Sequence, residues 1–192
     1  MMEQGNLPTQ RVNISTQKML GGIGSILILL GWIPGIGILL SILGVVLWII
    51  SMYQLSNILR KPSIFQKVLI GFVLNIAGIV IALGFGLMAG ISSFATMRDE
   101  TGAILGLGLG VIVAIIVAYA ISLVAFYFYK EAYEILAQAT AHNLFKIAGL
   151  LMFIGAITII LFGLGSLLII VGYIVLPIAF FTAPNEVEVQ GA

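Results

Sequence analysis

The chain has 192 residues, of which 61% are hydrophobic and 8% charged, with a net charge of +1 and a mean hydropathy of +1.25. A soluble domain is about 25% charged, so eight basic and seven acidic residues exclude an ordinary soluble fold, and with no basic patch nucleic acid is excluded as a partner. There is no cysteine and one histidine, His142, which excludes disulfides, thiolate catalysis and cysteine- or histidine-cluster metal sites.

Residues 1–13 read as a short disordered tail. The apolar run that follows is too long for a cleaved signal peptide and reads as a retained span. Charge is absent from 19–59, 68–97, 101–129 and 147–185, gaps of 41, 30, 29 and 39 residues. A spanning helix needs about 20 apolar residues, so the gaps hold two, one, one and two spans. The reading is an all-α integral membrane protein, a six-helix bundle over 14–184 with lipid as its surroundings. The first gap breaks at Gly31-Trp32-Ile33-Pro34-Gly35, where proline removes a donor and glycine permits a turn, giving spans 15–32 and 37–57. The third and fourth spans cover about 63–92 and 102–129. The fourth continues as a wet, amphipathic extension through Lys130, Glu131, Tyr133 and Glu134 to about Ala139. The last gap divides at Gly163-Leu164-Gly165 into spans 144–161 and 166–182, and 185–192 is a short acidic tail.

Under six spans, Arg11, Lys18, Arg60, Lys61, Lys67, Lys130 and Lys146 fall on one side and only Arg98 on the other. This bias places both termini in the cytoplasm, and on that side the sequon Asn13-Ile14-Ser15 is discounted. A seventh helix from a break at Gly84-Phe85-Gly86 would spoil the bias. Trp48, Tyr53 and the cluster Phe126 to Tyr129 with Tyr133 mark the inner headgroup level, and Trp32 the outer. Lys18, Lys67 and Lys146 stand at the starts of spans, where their stems snorkel to water.

The first and last hairpins form a parallel internal repeat. A shift of 128 residues lays Lys18 on Lys146, Gly21 on Gly149, Gly35 on Gly163, Gly37 on Gly165 and Gly44 on Gly172. A shift of 49 gives a fainter third copy, with Gly84 and Gly86 under Gly35 and Gly37. The alternative is convergence of two glycine-turned hairpins. Pro34, Gly35, Gly163 and Gly165 are the turn residues. Gly86 and Gly90 on the third helix, and Gly102, Gly106 and Gly110 on the fourth, form small-residue stripes that let helices approach closely in lipid. They serve either packing within the chain or an interface with another subunit or a second copy.

Asn75 is the one carboxamide deep in a span, and a residue of this kind hydrogen-bonds to a neighbouring helix or lines a polar path. No ionisable side chain lies at mid-depth, which weighs against a proton-coupled pump and an intramembrane hydrolase. Asp99 and Glu100 sit in a short loop without a cleft. Lys130 and Glu134 are one helical turn apart and pair at the surface, and His142 has a helix-start or interfacial role. No catalytic residue, cofactor site or metal site is expected.

The stretch from Glu134 through His142 and Lys146 to Gly149, the segment Lys18-Met19-Leu20-Gly21-Gly22-Ile23-Gly24-Ser25-Ile26-Leu27, and Ala179-Phe180-Phe181 together resemble a small, largely archaeal membrane family catalogued as domain of unknown function 996. The resemblance runs from about Ser15 to Thr182. It implies a prokaryotic, archaeal cell membrane and brings no activity or ligand. The functional expectation is a non-enzymatic structural or accessory subunit of a membrane complex, with the aromatic end of the fourth helix as a docking surface. The alternative is a small channel or uncoupled carrier with its path between the hairpins.

Overall fold

A computed structural model describes residues 9–95, 100–160 and 163–190, with side-chain surroundings described outside 9, 86, 89–110 and 190. In chain order the elements are β1 (Thr9–Asn13), α1 (Ser15–Leu29) extended by a 3-10 turn (Leu30–Trp32), α2 (Gly37–Ile58), α3 (Pro62–Ala95), α4 (Glu100–Thr140), α5 (Leu144–Thr158), α6 (Leu164–Thr182) and β2 (Glu186–Gln190). Among the described residues α2, the Pro62–Phe85 part of α3, the Val111–Thr140 part of α4, and α6 are long and apolar enough to cross a membrane. α1 and α5 have 15 residues each.

The helices fold back in three hairpins, α1–α2, α3–α4 and α5–α6, and the bundle is completed by packing of α4 on α5, α1 on α6 and α2 on α3. α3 runs unbroken through Gly84-Phe85-Gly86, so the third copy of the hairpin repeat has no turn at these glycines. At about 1.5 Å per residue, the 34 residues of α3 and the 41 of α4 extend some 50–60 Å.

Two turns between helices use glycine where the backbone demands it. Gly35 has φ +88° after Pro34, and Gly163 has φ +76° as the N-cap of α6. Side chains avoid this left-handed region. Gly165, expected in the turn, lies instead in the first turn of α6. A Cβ there would stand 2.0 Å from the Gly155 carbonyl oxygen, so Gly165 permits close approach of α5 rather than a bend. At the opposite end of the bundle α2 and α4 close with Schellman bonds. Lys61 N donates to Ser56 O at 2.9 Å and His142 N to Ala137 O at 3.0 Å, with Arg60 at φ 53° and Ala141 at φ 50° in the position glycine usually takes.

The two expected tails pair with each other. β1 and β2 form an antiparallel ribbon with Arg11 opposite Glu188 and Val12 opposite Val187, so 9–13 are a strand rather than disordered, and the short acidic tail expected over 185–192 carries its partner strand. The physical reason is the period-two pattern Glu186-Val187-Glu188-Val189, which turns valines to the bundle and carboxylates to water. Val187 is buried, Val12 and Val189 pack against the core, and Arg11 meets Glu188 at 3.5 Å. Ile14, at the start of α1, is buried beneath the ribbon, and its amide donates to Asn185 O at 2.8 Å. Lys18 Nζ donates to Ala183 O at 2.6 Å and to Phe181 O at 3.4 Å, so it closes the C-terminus of α6 rather than simply reaching for water.

Buried side chains concentrate at this ribbon end. Met52, Leu55, Ile64, Val68, Leu136, Phe145 and Phe180 are all inaccessible there, while the far half of α2 and α3 presents large apolar side chains outward.

Candidate functional site: a central cavity

One cavity of about 130 Å³ is lined from all six helices. α1 contributes Ile28, α2 Val45 and Trp48, α3 Phe72 and Asn75, α4 Tyr129 and Tyr133, α5 Met152, and α6 Tyr173 and Leu176. It sits just beyond the packed ribbon end.

Residues one to two turns apart build it. Tyr129 and Tyr133 are four apart on α4 and point the same way. The Trp48 ring meets Tyr129 edge-on at 5.7 Å and Tyr133 at 6.4 Å. Trp48 is 6% and Tyr133 2% exposed, so these rings, expected at the inner headgroup level, are buried against the facing helices, where ring area gains most from packing. Within the expected docking surface Tyr129 and Tyr133 belong to the chain's own core, while Tyr127 is 41% exposed. Tyr53 does lie at the surface, edge-on to Phe65 at 5.1 Å, as does Trp32, 77% exposed.

The polar groups of the cavity are neutral. Asn75 lines it together with three tyrosines, the most polar wall it has. Tyr133 stands beside Trp48, yet among the described residues no acceptor reaches Trp48 Nε1 with hydrogen-bond geometry. An indole N–H is a donor only, and a buried donor is ordinarily paired. A second cavity, of about 470 Å³, lies between α1, α2 and α6 at the far end. It shares Ile28 and Tyr173 with the central one and is also lined by Gly31, Trp32 and Ser41.

Below the cavity, toward the ribbon, a belt of charge ties α3, α4 and α5. Lys67 is ion-paired with Glu131, which also accepts from the Tyr127 hydroxyl at 3.1 Å. Glu134 takes Lys130 at 3.3 Å, the expected pair, and Lys146 at 3.1 Å. Both carboxyls lie beyond the apolar run that ends at Tyr129. Both are held below their ordinary range, Glu131 chiefly by the hydrogen bond from Lys67 and Glu134 chiefly by that from Lys146. His142 shares a 3.0 Å hydrogen bond with Thr182 Oγ1 and lies edge-on to Phe145, an interfacial tether between the α4–α5 connection and α6.

The sequence singled out Asn75, and the structure surrounds it with aromatic residues that the sequence had distributed elsewhere. The signal for them was present in the i, i+4 spacing of Tyr129 and Tyr133 and of Trp48 and Met52, which is the spacing of a buried face. Gly35 and Pro34 are far from the cavity, as is Gly163. Gly86, Gly90, Gly102, Gly106 and Gly110 are on helical backbone, but their surroundings lie outside the described residues, as does Leu161 at the end of the fifth expected span.

The chain matches the family model described as protein of unknown function (DUF996) over residues 40–174. It is 31% identical over 178 residues to an uncharacterized protein of Methanocaldococcus jannaschii, covering 93% of this chain and 97% of that one. No solved structure matches the chain. With most of the chain inside the family model and an archaeal relative aligned almost end to end, the chain belongs to the DUF996 family.

Proposed function

We propose that the chain is a six-span protein of an archaeal cell membrane, with both termini and the ribbon in the cytoplasm, and that it serves as a non-enzymatic structural or accessory subunit of a membrane complex. The six helices alternate in direction, and the 3-10 turn carries α1 on to Trp32. Seven of the eight basic residues gather at the ribbon end under this topology, as the positive-inside bias requires.

The parallel repeat of the two outer hairpins is part of the proposal. The two glycines with positive φ, Gly35 and Gly163, are equivalent under the 128-residue shift. Gly37 approaches Gly31 as Gly165 approaches Ile159, and Gly44 approaches Gly24 as Gly172 approaches Met152. Each of these pairs is carried onto the other by the same shift.

The closed ribbon end is the observation that carries the accessory reading over the channel. Met52, Val68, Leu136, Ala148 and Phe180, all buried, fill the bundle there, on the ribbon side of the central cavity. A conducting path needs groups that replace a solute's hydration across the whole span.

The test pairs two measurements on native protein. Extraction of native membranes in mild detergent is expected to yield a stable assembly with different polypeptides, weakened by Gly106→Leu. Purified protein in liposomes is expected to leave ion and small-solute flux at the level of empty vesicles. A protein that always runs alone and makes liposomes permeable to a defined solute would establish the channel reading instead.

A further inference from the structure

We infer that a groove at the ribbon end of the bundle is a binding site for a phosphate group. The groove, of about 470 Å³, lies between the α2–α3 turn, the end of α4 and β2. Its polar walls are Arg60, Lys61, Gln138 and Glu188.

The sign of the ligand's charge follows from a comparison of the cations. Arg11 meets Glu188 at 3.5 Å, Lys67 is paired with Glu131, and Lys130 and Lys146 share Glu134. Lys18 is held by two carbonyl oxygens of the α6 C-terminus. Among the described residues, Arg60 and Lys61 are the two cations whose side chains have neither a carboxylate nor a hydrogen-bond partner, and both line the groove. Their backbone is fixed. Lys61 N donates to Ser56 O at 2.9 Å, and Ser56 Oγ donates to Lys61 O at 3.0 Å. The turn is thus a set platform that leaves both side chains to the groove. Glu188, its carboxylate wall, is already offset by Arg11.

The ligand class follows from the donors. A guanidinium presents a planar fork of N–H groups, an ammonium three more, and the Gln138 carboxamide two. A phosphate has the charge and the number of acceptor oxygens to take from all three, and the guanidinium fork fits it in two-point contact. The source follows from depth. Lys61 precedes Lys67 of the charge belt by about 9 Å along the chain's rise into α3. The groove therefore opens outside the apolar spans, where the phosphate of a lipid headgroup and that of a water-soluble ester both have access. The inference rests on this chain's own side chains and stands whether or not the subunit reading does.

The full chain in maltoside micelles, which contain no phosphate, is titrated calorimetrically with dioctanoyl phosphatidic acid, with dioctanoylglycerol and with glycerol phosphate. The first two differ only in the phosphate. Saturable one-to-one binding of phosphatidic acid, with none of dioctanoylglycerol, is expected. If glycerol phosphate binds as tightly, the ligand is a free phosphate ester; if it does not, the ligand is a lipid headgroup. Arg60→Gly and Lys61→Gln are each expected to weaken binding about tenfold. Arg60→Gly also relieves a left-handed backbone at φ 53°, so its unfolding midpoint should not fall, and lost binding is then not lost fold. Lys130→Gln and Lys146→Gln, equal changes of charge away from the groove, are expected to leave the affinity within about twofold at physiological ionic strength. The proposal is overturned if no phosphate compound saturates, or if dioctanoylglycerol binds as phosphatidic acid does. It is equally overturned if Arg60→Gly and Lys61→Gln both keep native affinity, or if the Lys130 and Lys146 variants lose as much.

Discussion

Gly44 on α2 faces Gly24 on α1 where the two helices run in close contact, and replacing it tests how rigidly the bundle is set. A Cβ on Gly44 would stand 2.6 Å from both Gly24 O and Ile28 N, whereas ordinary contact begins at 3.4 Å. Both atoms are backbone, so α1 must shift as a unit. Such overpacking costs about 1–3 kcal/mol, offset by about 1 kcal/mol of helix propensity for alanine over glycine. Gly44→Ala should therefore lose up to about 2 kcal/mol. Gly172, its counterpart on α6, is approached at 2.6 Å by Met152 Cγ and only at 3.1 Å by backbone, Ala148 O. A methionine side chain can move aside, so Gly172→Ala should be near neutral. Among the described residues a Cβ on Gly84 meets nothing within 4 Å, and Gly84→Ala should be neutral or gain up to about 1 kcal/mol from propensity alone. The three variants are compared by reversible unfolding in mixed micelles with increasing dodecyl sulfate. If Gly44→Ala unfolds at the same point as Gly84→Ala, the close approach of α1 and α2 is refuted.

Gly35→Val and Gly163→Val place a β-branched residue at positive φ, at a strain of about 1–3 kcal/mol each. Because among the described residues nothing lies within 4 Å of a Cβ at either position, reduced folded yield in membranes measures backbone strain, and normal yield for both would remove it as a factor. Ala141→Gly should do the opposite and raise the unfolding free energy by about 0.5–1 kcal/mol, seen as a later unfolding midpoint, since Ala141 already holds φ 50°. The Lys146 hydrogen bond lowers the pKa of Glu134 from 4.5, so its stabilisation is complete above that value and is lost as pH falls below it. Glu134→Gln should flatten this part of the pH–stability profile, and an unchanged profile would show that the pair with Lys146 does not contribute.

The helices were legible because apolar length and charge gaps report them directly, and the glycine turns because Pro34-Gly35 and Gly163 interrupt runs too long for one helix. The ribbon was not, since its two strands are far apart in sequence and each is only five residues long, too short to outweigh polar composition at a terminus. The cross-helix pairs of Lys67 with Glu131 and Lys146 with Glu134 were likewise hidden. Only their helical neighbours were visible, as with Lys130 and Glu134. The burial of Trp48 and Tyr133 was not legible because an amphipathic ring suits both a headgroup layer and a core beside a cavity, and sequence alone does not say which face its helix buries. Asn75 stood out by its chemistry, while the aromatic wall around it arises only when all six helices converge.

Topology tests the account most directly. The chain contains no cysteine, so single substitutions can be labelled in sealed vesicles with a membrane-impermeant thiol reagent from each side. With six spans, Pro62→Cys and Glu188→Cys label only from the cytoplasmic face and Thr101→Cys only from the outer face. Labelling of positions 62 and 188 from opposite faces would contradict the six-span bundle and its cytoplasmic ribbon.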